Sequence, residues 1–135
     1  VPAMAFFHMP PAEFKEAYEK MKLGDHSVIY EHGSIGEKNE YFGISNRPPH
    51  FFEKAVDNSW LKWIFCGHDH LNTLSLTYKG IRMTYGMSID YLGYSGIAKQ
   101  YIQRGATLIT RKTDGNIDIT MVPLTTVVST RVRGA

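Results

Sequence analysis

The sequence predicts a mixed α/β (α+β) fold, and three observations carry that reading. Two short apolar runs, Met4–Phe7 and Leu61–Cys66, have the length of buried strands. Between them lie two stretches whose apolar residues recur at helical spacing. After them come two pairs of β-rich segments, each joined by a tight-turn sequence. Strand, helix, loop, helix, strand and then two hairpins make a layered helix-on-sheet arrangement.

Each element has a local reason. Pro10-Pro11 ends the first strand, because proline fixes φ and lacks the donor that a sheet ladder needs. Pro11 also suits a helix start. From Ala12 to Leu23 the apolar positions Phe14, Ala17, Tyr18 and Met21 share one face, and charged residues fill the other. Glu16 and Lys20 form an i,i+4 pair, and Gly24 stops the helix. Residues 24–49 read as a long loop with a short element at Ser27–Tyr30. His50–Asp57 reads as a short helix after Pro48-Pro49, with Phe51, Phe52 and Ala55 inward. Thr73–Tyr78 and Ile81–Tyr85 form a hairpin over Lys79-Gly80. Gly86–Gln103 is a second loop, rich in Gly and Tyr. Ala106–Arg111 and Asn116–Val122 form another hairpin over Thr113-Asp114-Gly115. Residues 1–124 then make one portion of a domain, and 125–135 a tail or edge strand.

Composition excludes several classes. The 135 residues include 43% hydrophobic and 21% charged residues, ordinary globular usage. There is no run of about 18 apolar residues, hence no membrane-spanning helix. The net charge of +2 is too small to argue for a nucleic-acid or membrane partner, and Arg131 and Arg133 in the tail do not change that. Cys66 is the one cysteine, so no internal disulfide or cysteine-based zinc cluster can form; inside an apolar strand it reads as an inert buried thiol. The opening Val1–Phe7 has neither a basic n-region nor a cleavage site. It begins inside a strand-like run without an initiator methionine, which predicts that a segment precedes it. The compartment stays open.

The histidines are the informative residues. His8 follows the first apolar strand, and His68 and His70 follow the second. Ligands collect at the C-terminal ends of strands in such sheets. In an extended segment residues i and i+2 point the same way, so His68 and His70 aim into one cleft with Asp69 turned aside. Gly67 removes a side chain where the strand breaks. If the two strands are neighbours, His8 joins the pair, and three imidazoles make a site for zinc, iron or manganese. His26, His32 and His50 lack that setting and read as ordinary surface or core residues.

Phe6-Phe7-His8-Met9-Pro10 and Gly67-His68-Asp69-His70 resemble the last two motifs of the calcineurin-like metallophosphoesterases. The stretch Leu71-Asn72, Tyr78-Lys79-Gly80-Ile81, Tyr85-Gly86, Tyr91, Gly93-Tyr94 and Arg104-Gly105-Ala106 is similar to the purple-acid-phosphatase-like (Dcr2-type) branch, over roughly residues 3 to 124. The resemblance implies the C-terminal half of a four-layer αββα sandwich with two metal ions (Fe, Zn or Mn) in a cleft at the sheet edges. It implies His8 and His68 as ligands of one metal and His70 as a ligand of the other. The implied reaction is hydrolysis of a phosphate ester, in which two cations clamp the phosphate and generate a hydroxide that attacks phosphorus.

The family's earlier motifs, Asp-x-His, Gly-Asp-x-x-Asp and Gly-Asn-His-Asp/Glu, are absent. Gly24-Asp25-His26 echoes the last of these only faintly and in the wrong order. Without the bridging carboxylate, the chain alone is expected to be inactive, and three imidazoles split between two metals hold neither tightly. Two readings follow. The chain is the metal-ligand part of a hydrolase whose other half lies elsewhere, or a truncated non-catalytic module that binds a metal or a partner. The face that the missing half covers is expected to be apolar and to drive association.

Weaker candidates complete the set. Glu37 and Glu40 lie where relatives carry an acid near the substrate cleft, though a solvated loop acid is the simpler reading. Asp69 and Asn72 are candidate partners orienting the imidazoles, or turn residues. Tyr85, Tyr91 and Tyr94 either wall the cleft or pack. Arg104 either touches a phosphate or braces the last hairpin.

Overall fold

The structure, a computed structural model, describes residues 2–44, 50–100 and 104–124. The expected tail at 125–135 and the Pro48-Pro49 helix start lie outside them. The chain runs β1 (Ala3–Phe6), α1 (Ala12–Lys22), β2 (Val28–His32), α2 (His50–Asn58), β3 (Leu61–Cys66), β4 (Ser75–Tyr78), β5 (Ile81–Tyr85), β6 (Gly105–Arg111) and β7 (Ile117–Pro123). Short 3-10 turns at Lys38–Glu40 and Ile97–Gln100 punctuate the two long loops.

Among the described residues, five strands form one sheet in the order β1-β3-β5-β4-β2, and β6 and β7 form a second, two-stranded sheet. β1, β3 and β5 run parallel, with Phe6 opposite Phe65 and Cys66 opposite Tyr85. β4 returns antiparallel to β5, and β2 antiparallel to β4. The short element expected at Ser27–Tyr30 is therefore a full edge strand reaching His32.

Both helices cover one face of the large sheet. α1 starts at Pro11, whose extended backbone and carbonyl receive the Phe14 amide at 3.0 Å. It ends where Gly24, at φ +78°, takes the left-handed conformation that glycine adopts without strain. Phe14, Ala17, Phe52 and Ala55 from the helices meet Ile64, Leu76, Met83 and Tyr85 from the strands in one apolar core. Phe14 has no exposed surface and stacks on Tyr85 with ring centroids 4.9 Å apart. Phe51, expected inward, is instead 51% exposed and meets Phe7 edge-on.

The other face of the sheet receives the β6–β7 hairpin. The Gly105 amide bonds the Ser88 carbonyl, and the Met87 amide bonds the Thr107 hydroxyl. An open cavity of 660 Å³, lined by Phe6, Phe65, Ile89 and Ile109 among others, remains between hairpin and sheet. Phe6 stays 63% exposed and Leu108 54% exposed. Helices, sheet and second sheet are three layers in succession, consistent with part of an αββα metallophosphoesterase sandwich. No helix among the described residues is long and apolar enough to cross a membrane.

These faces differ in what they hold together. Phe14→Ala, which empties a fully buried site, is expected to cost about 3–5 kcal/mol in urea unfolding. Phe6→Ala on the open face is expected to cost no more than about 1 kcal/mol. Equal losses from the two substitutions would refute the assignment of core and open face.

Candidate functional site

The parallel sheet sets the site. Because β1 and β3 are neighbours in register, their C-terminal ends finish side by side, and the Gly67 amide continues the ladder to the His8 carbonyl at 2.9 Å. The Gly86 amide does the same to the Cys66 carbonyl at 2.8 Å, bringing in the end of β5. His8, His68 and His70 line one cavity of 360 Å³ at this edge, together with Met87 and Ser88.

The three imidazoles arrive by different backbone routes than simple strand alternation. His68 has φ +70°, a left-handed conformation tolerated by few side chains, and the Asp69 amide bonds the Gly67 carbonyl across it. A second turn follows, with the Asn72 amide on the Asp69 carbonyl at 3.3 Å. Two tight turns, and not an extended segment, bring His68 and His70 to the same cavity. Such strain at a cluster of polar side chains is the kind found at functional sites.

His8 and His68 touch. His8 Nε2 and His68 Nδ1 are 3.1 Å apart, with the rings edge to face. In that contact one nitrogen donates a proton and the other accepts it. The same spacing fits two ligands of a single ion, since nitrogens each about 2.0–2.1 Å from a metal are separated by about 3–3.4 Å. The pair therefore matches one edge of a coordination shell, while His70 stands apart from it. Its Nδ1 lies 2.9 Å from Asp90 Oδ2. Among the described residues, no group of three His, Cys, Asp or Glu side chains is arranged to hold an ion. An ion placed here has two imidazoles and no bridging carboxylate.

Asp69, Glu37 and Glu40 are committed elsewhere. Asp69 is buried and accepts two bonds from the Gly43 amide, at 2.9 and 3.1 Å, and one from the Tyr85 hydroxyl. Burial and that carboxylate push the Tyr85 phenol far up. Asn72, fully buried, takes the Gly36 and Glu37 amides on Oδ1 and donates to the Tyr41 carbonyl. Both residues pin the 33–43 loop to the His68–Leu71 turn; their bonds run to backbone and to Tyr85, not to an imidazole. Glu37 accepts the Leu71 amide at 3.0 Å and the Tyr94 hydroxyl at 2.8 Å, so it bridges two loops and is not a free solvated acid. Glu40 pairs with Lys22 and Tyr18 on the surface.

The remaining candidates separate. Tyr85 is 1% exposed and belongs to the core, not to a cleft wall. Tyr91 is exposed, and the Arg104 guanidinium lies 5.1 Å from its ring. Arg104 is 1% exposed and donates from Nε to the Asp90 carbonyl at 2.6 Å, which braces the 86–97 loop from inside. Cys66 is buried, and burial pushes its thiol well above the ordinary range, in keeping with an inert role. His26 and His50 are exposed, and His32 meets Arg82 at 3.2 Å away from the cleft.

Two features escaped the sequence. Gly67, singled out there, has ample room: a Cβ would meet only the His8 carbonyl, at 3.9 Å. The glycine that the site needs is Gly43, where a Cβ would overlap the His68 ring. Asp90 was also unmarked, since only the fold brings it to His70.

Comparison with known proteins agrees with the resemblance in its coarse form. The chain is 27% identical over 93 residues to "Probable inactive purple acid phosphatase 29" of Arabidopsis thaliana, covering 69% of this chain and 21% of that protein. It is 30% identical over 93 residues to "Probable inactive purple acid phosphatase 28" of the same plant, covering 69% of this chain and 20% of that protein. The chain thus spans about a fifth of the length of these curated relatives. No family model matches, and no solved structure matches.

The Gly43 contact is directly testable. Gly43→Ala is expected to displace the His68 ring, lower the melting temperature and shift the His8 and His68 imidazole NMR signals together. A variant with both signals unchanged would contradict this packing.

Proposed function

Given the partial homology to purple-acid-phosphatase-like proteins of the calcineurin-like metallophosphoesterase superfamily, we propose that this chain is a non-catalytic module that presents a paired-imidazole metal site. The observation that carries the proposal is the 3.1 Å approach of His8 Nε2 to His68 Nδ1 at the ends of two paired strands. Two neutral imidazoles at that spacing take up zinc, iron or manganese without adding charge. His70 supplies a single ligand toward a second ion. When bound, such an ion polarises phosphoryl oxygens as a Lewis acid.

What this chain's residues do is hold and orient. His8 is fixed by the sheet ladder, and His68 by the Gly67–Asp69 turn and the Gly43 contact. Asp69 and Asn72 keep the 33–43 loop closed against that turn. Among the described residues, no group of three His, Cys, Asp or Glu side chains is arranged to hold an ion. The lack of a three-ligand cluster, together with relatives that are themselves named as inactive phosphatases, favours the non-catalytic reading for the chain.

The second reading is hydrolysis of phosphate esters by a longer polypeptide that supplies the carboxylates. The ordered His and Gly-His-x-His motifs favour it. A parent reading frame carrying Asp-x-His, Gly-Asp-x-x-Asp and Gly-Asn-His-Asp upstream of Val1 would make that reading the stronger one.

Titration of the chain with Zn²⁺ is expected to give weak, saturable binding that His8→Ala reduces at least about tenfold. A chromogenic phosphomonoester and a bis-phosphodiester, with added manganese, iron or zinc, are expected to give no turnover above blank. Binding indifferent to His8→Ala would refute the metal site, and metal-dependent turnover would refute the non-catalytic reading.

A further inference from the structure

We propose that Asp90 is a positioning residue that holds the His70 imidazole with Nδ1 protonated and Nε2 left as the lone-pair nitrogen, an inference that rests on reading the cleft as a metal site. The geometry is specific. Asp90 Oδ2 lies 2.9 Å from His70 Nδ1. A carboxylate only accepts hydrogen bonds, so Nδ1 carries the proton. A metal needs a deprotonated ring nitrogen, and the carboxylate leaves Nε2 in that form.

Asp90 is itself built into place. Its Oδ1 accepts the Leu92 amide at 2.7 Å, and its own amide donates to Ser88 Oγ at 3.1 Å. Its carbonyl takes Arg104 Nε at 2.6 Å, from a guanidinium with 1% exposure. Gly93 closes over the pair, and a Cβ there would overlap both Asp90 Oδ2 and the His70 ring. Tyr94 meets the His70 ring edge-on with centroids 6.0 Å apart, and its hydroxyl is tied to Glu37. A plain surface ion pair needs none of this support. The buried Arg104, which the sequence left between phosphate contact and structural brace, thereby gains a function: it fixes the backbone that aims Asp90.

Asp90→Asn inverts the arrangement with little change in shape. Oδ1 keeps the Leu92 amide, and Nδ2 replaces Oδ2 and donates to Nδ1, which moves the ring proton to Nε2. The experiment is a long-range ¹H–¹⁵N correlation on the histidine-labelled 135-residue chain at about pH 8, without metal. The native chain is expected to show His70 protonated at Nδ1, and Asp90→Asn at Nε2, with similar melting temperatures. Gly93→Ala, which wedges the pair apart, is expected to lose the preference for Nδ1. In a parallel Zn²⁺ titration Asp90→Asn is expected to weaken binding at His70 by about 10–100-fold. The same tautomer in the native chain and Asp90→Asn would overturn the proposal. A native chain that keeps the Nδ1 proton and binds no Zn²⁺ would refute the metal reading, while the tautomer still decides the hold of Asp90 on the ring.

Discussion

The parallel pairing of β1 with β3 is the constraint on which the site depends. Only because Phe6 lies opposite Phe65 do the two strands end together, with the Gly67 amide on the His8 carbonyl. A slip of one residue would send every β1 side chain to the other face. His8 would then leave His68, although they are 60 positions apart in the chain. The helices stabilise this register indirectly. They bury Ile64 and Cys66 of β3 against Phe14 and Phe52, and Ala3 and Ala5 of β1 and the following Phe7 pack against the same core.

A second constraint is polar. Asp69 and Asn72 are buried acceptors placed in the same turn that presents the histidines. Each unpaired buried acceptor costs about 1–3 kcal/mol, so the 33–43 loop must close to supply its amides. The loop is thus a strap over the turn, and Glu37 and Tyr94 carry the strap across to the 86–97 loop. The chemical consequence is direct. Asp69, the acid nearest the histidines in sequence, is spent on architecture, and the carboxylate that meets an imidazole is Asp90, brought to His70 by the fold. Among the described residues, no group of three His, Cys, Asp or Glu side chains is arranged to hold an ion.

Much of the fold was legible because its signals are local. Periodicity marked α1, turn residues marked both hairpins, and the apolar run 61–66 coincides with β3. The edge strand β2 was underestimated because its outward residues, Ile29 and Tyr30, are apolar and exposed and break the alternation that marks a strand. The histidines were legible as residues but not as geometry. Their convergence comes from a left-handed backbone at His68, which no pattern of residue types announces. The assignment of Arg104 and Tyr85 turned on burial, which is a tertiary property. Asp90 and Gly43 were invisible for the same reason, since each meets its histidine across 20 or more positions of chain.

The central claim is that His8 and His68 bind one ion between them. X-ray absorption at the zinc edge of the Zn²⁺-loaded chain tests it most directly, because imidazole gives a distinctive scattering pattern. At one equivalent of Zn²⁺ or less, the expected result is two imidazole nitrogens at about 2.0–2.1 Å, falling to one in His8→Ala. A shell of oxygens alone, or a spectrum unchanged by His8→Ala, would contradict it.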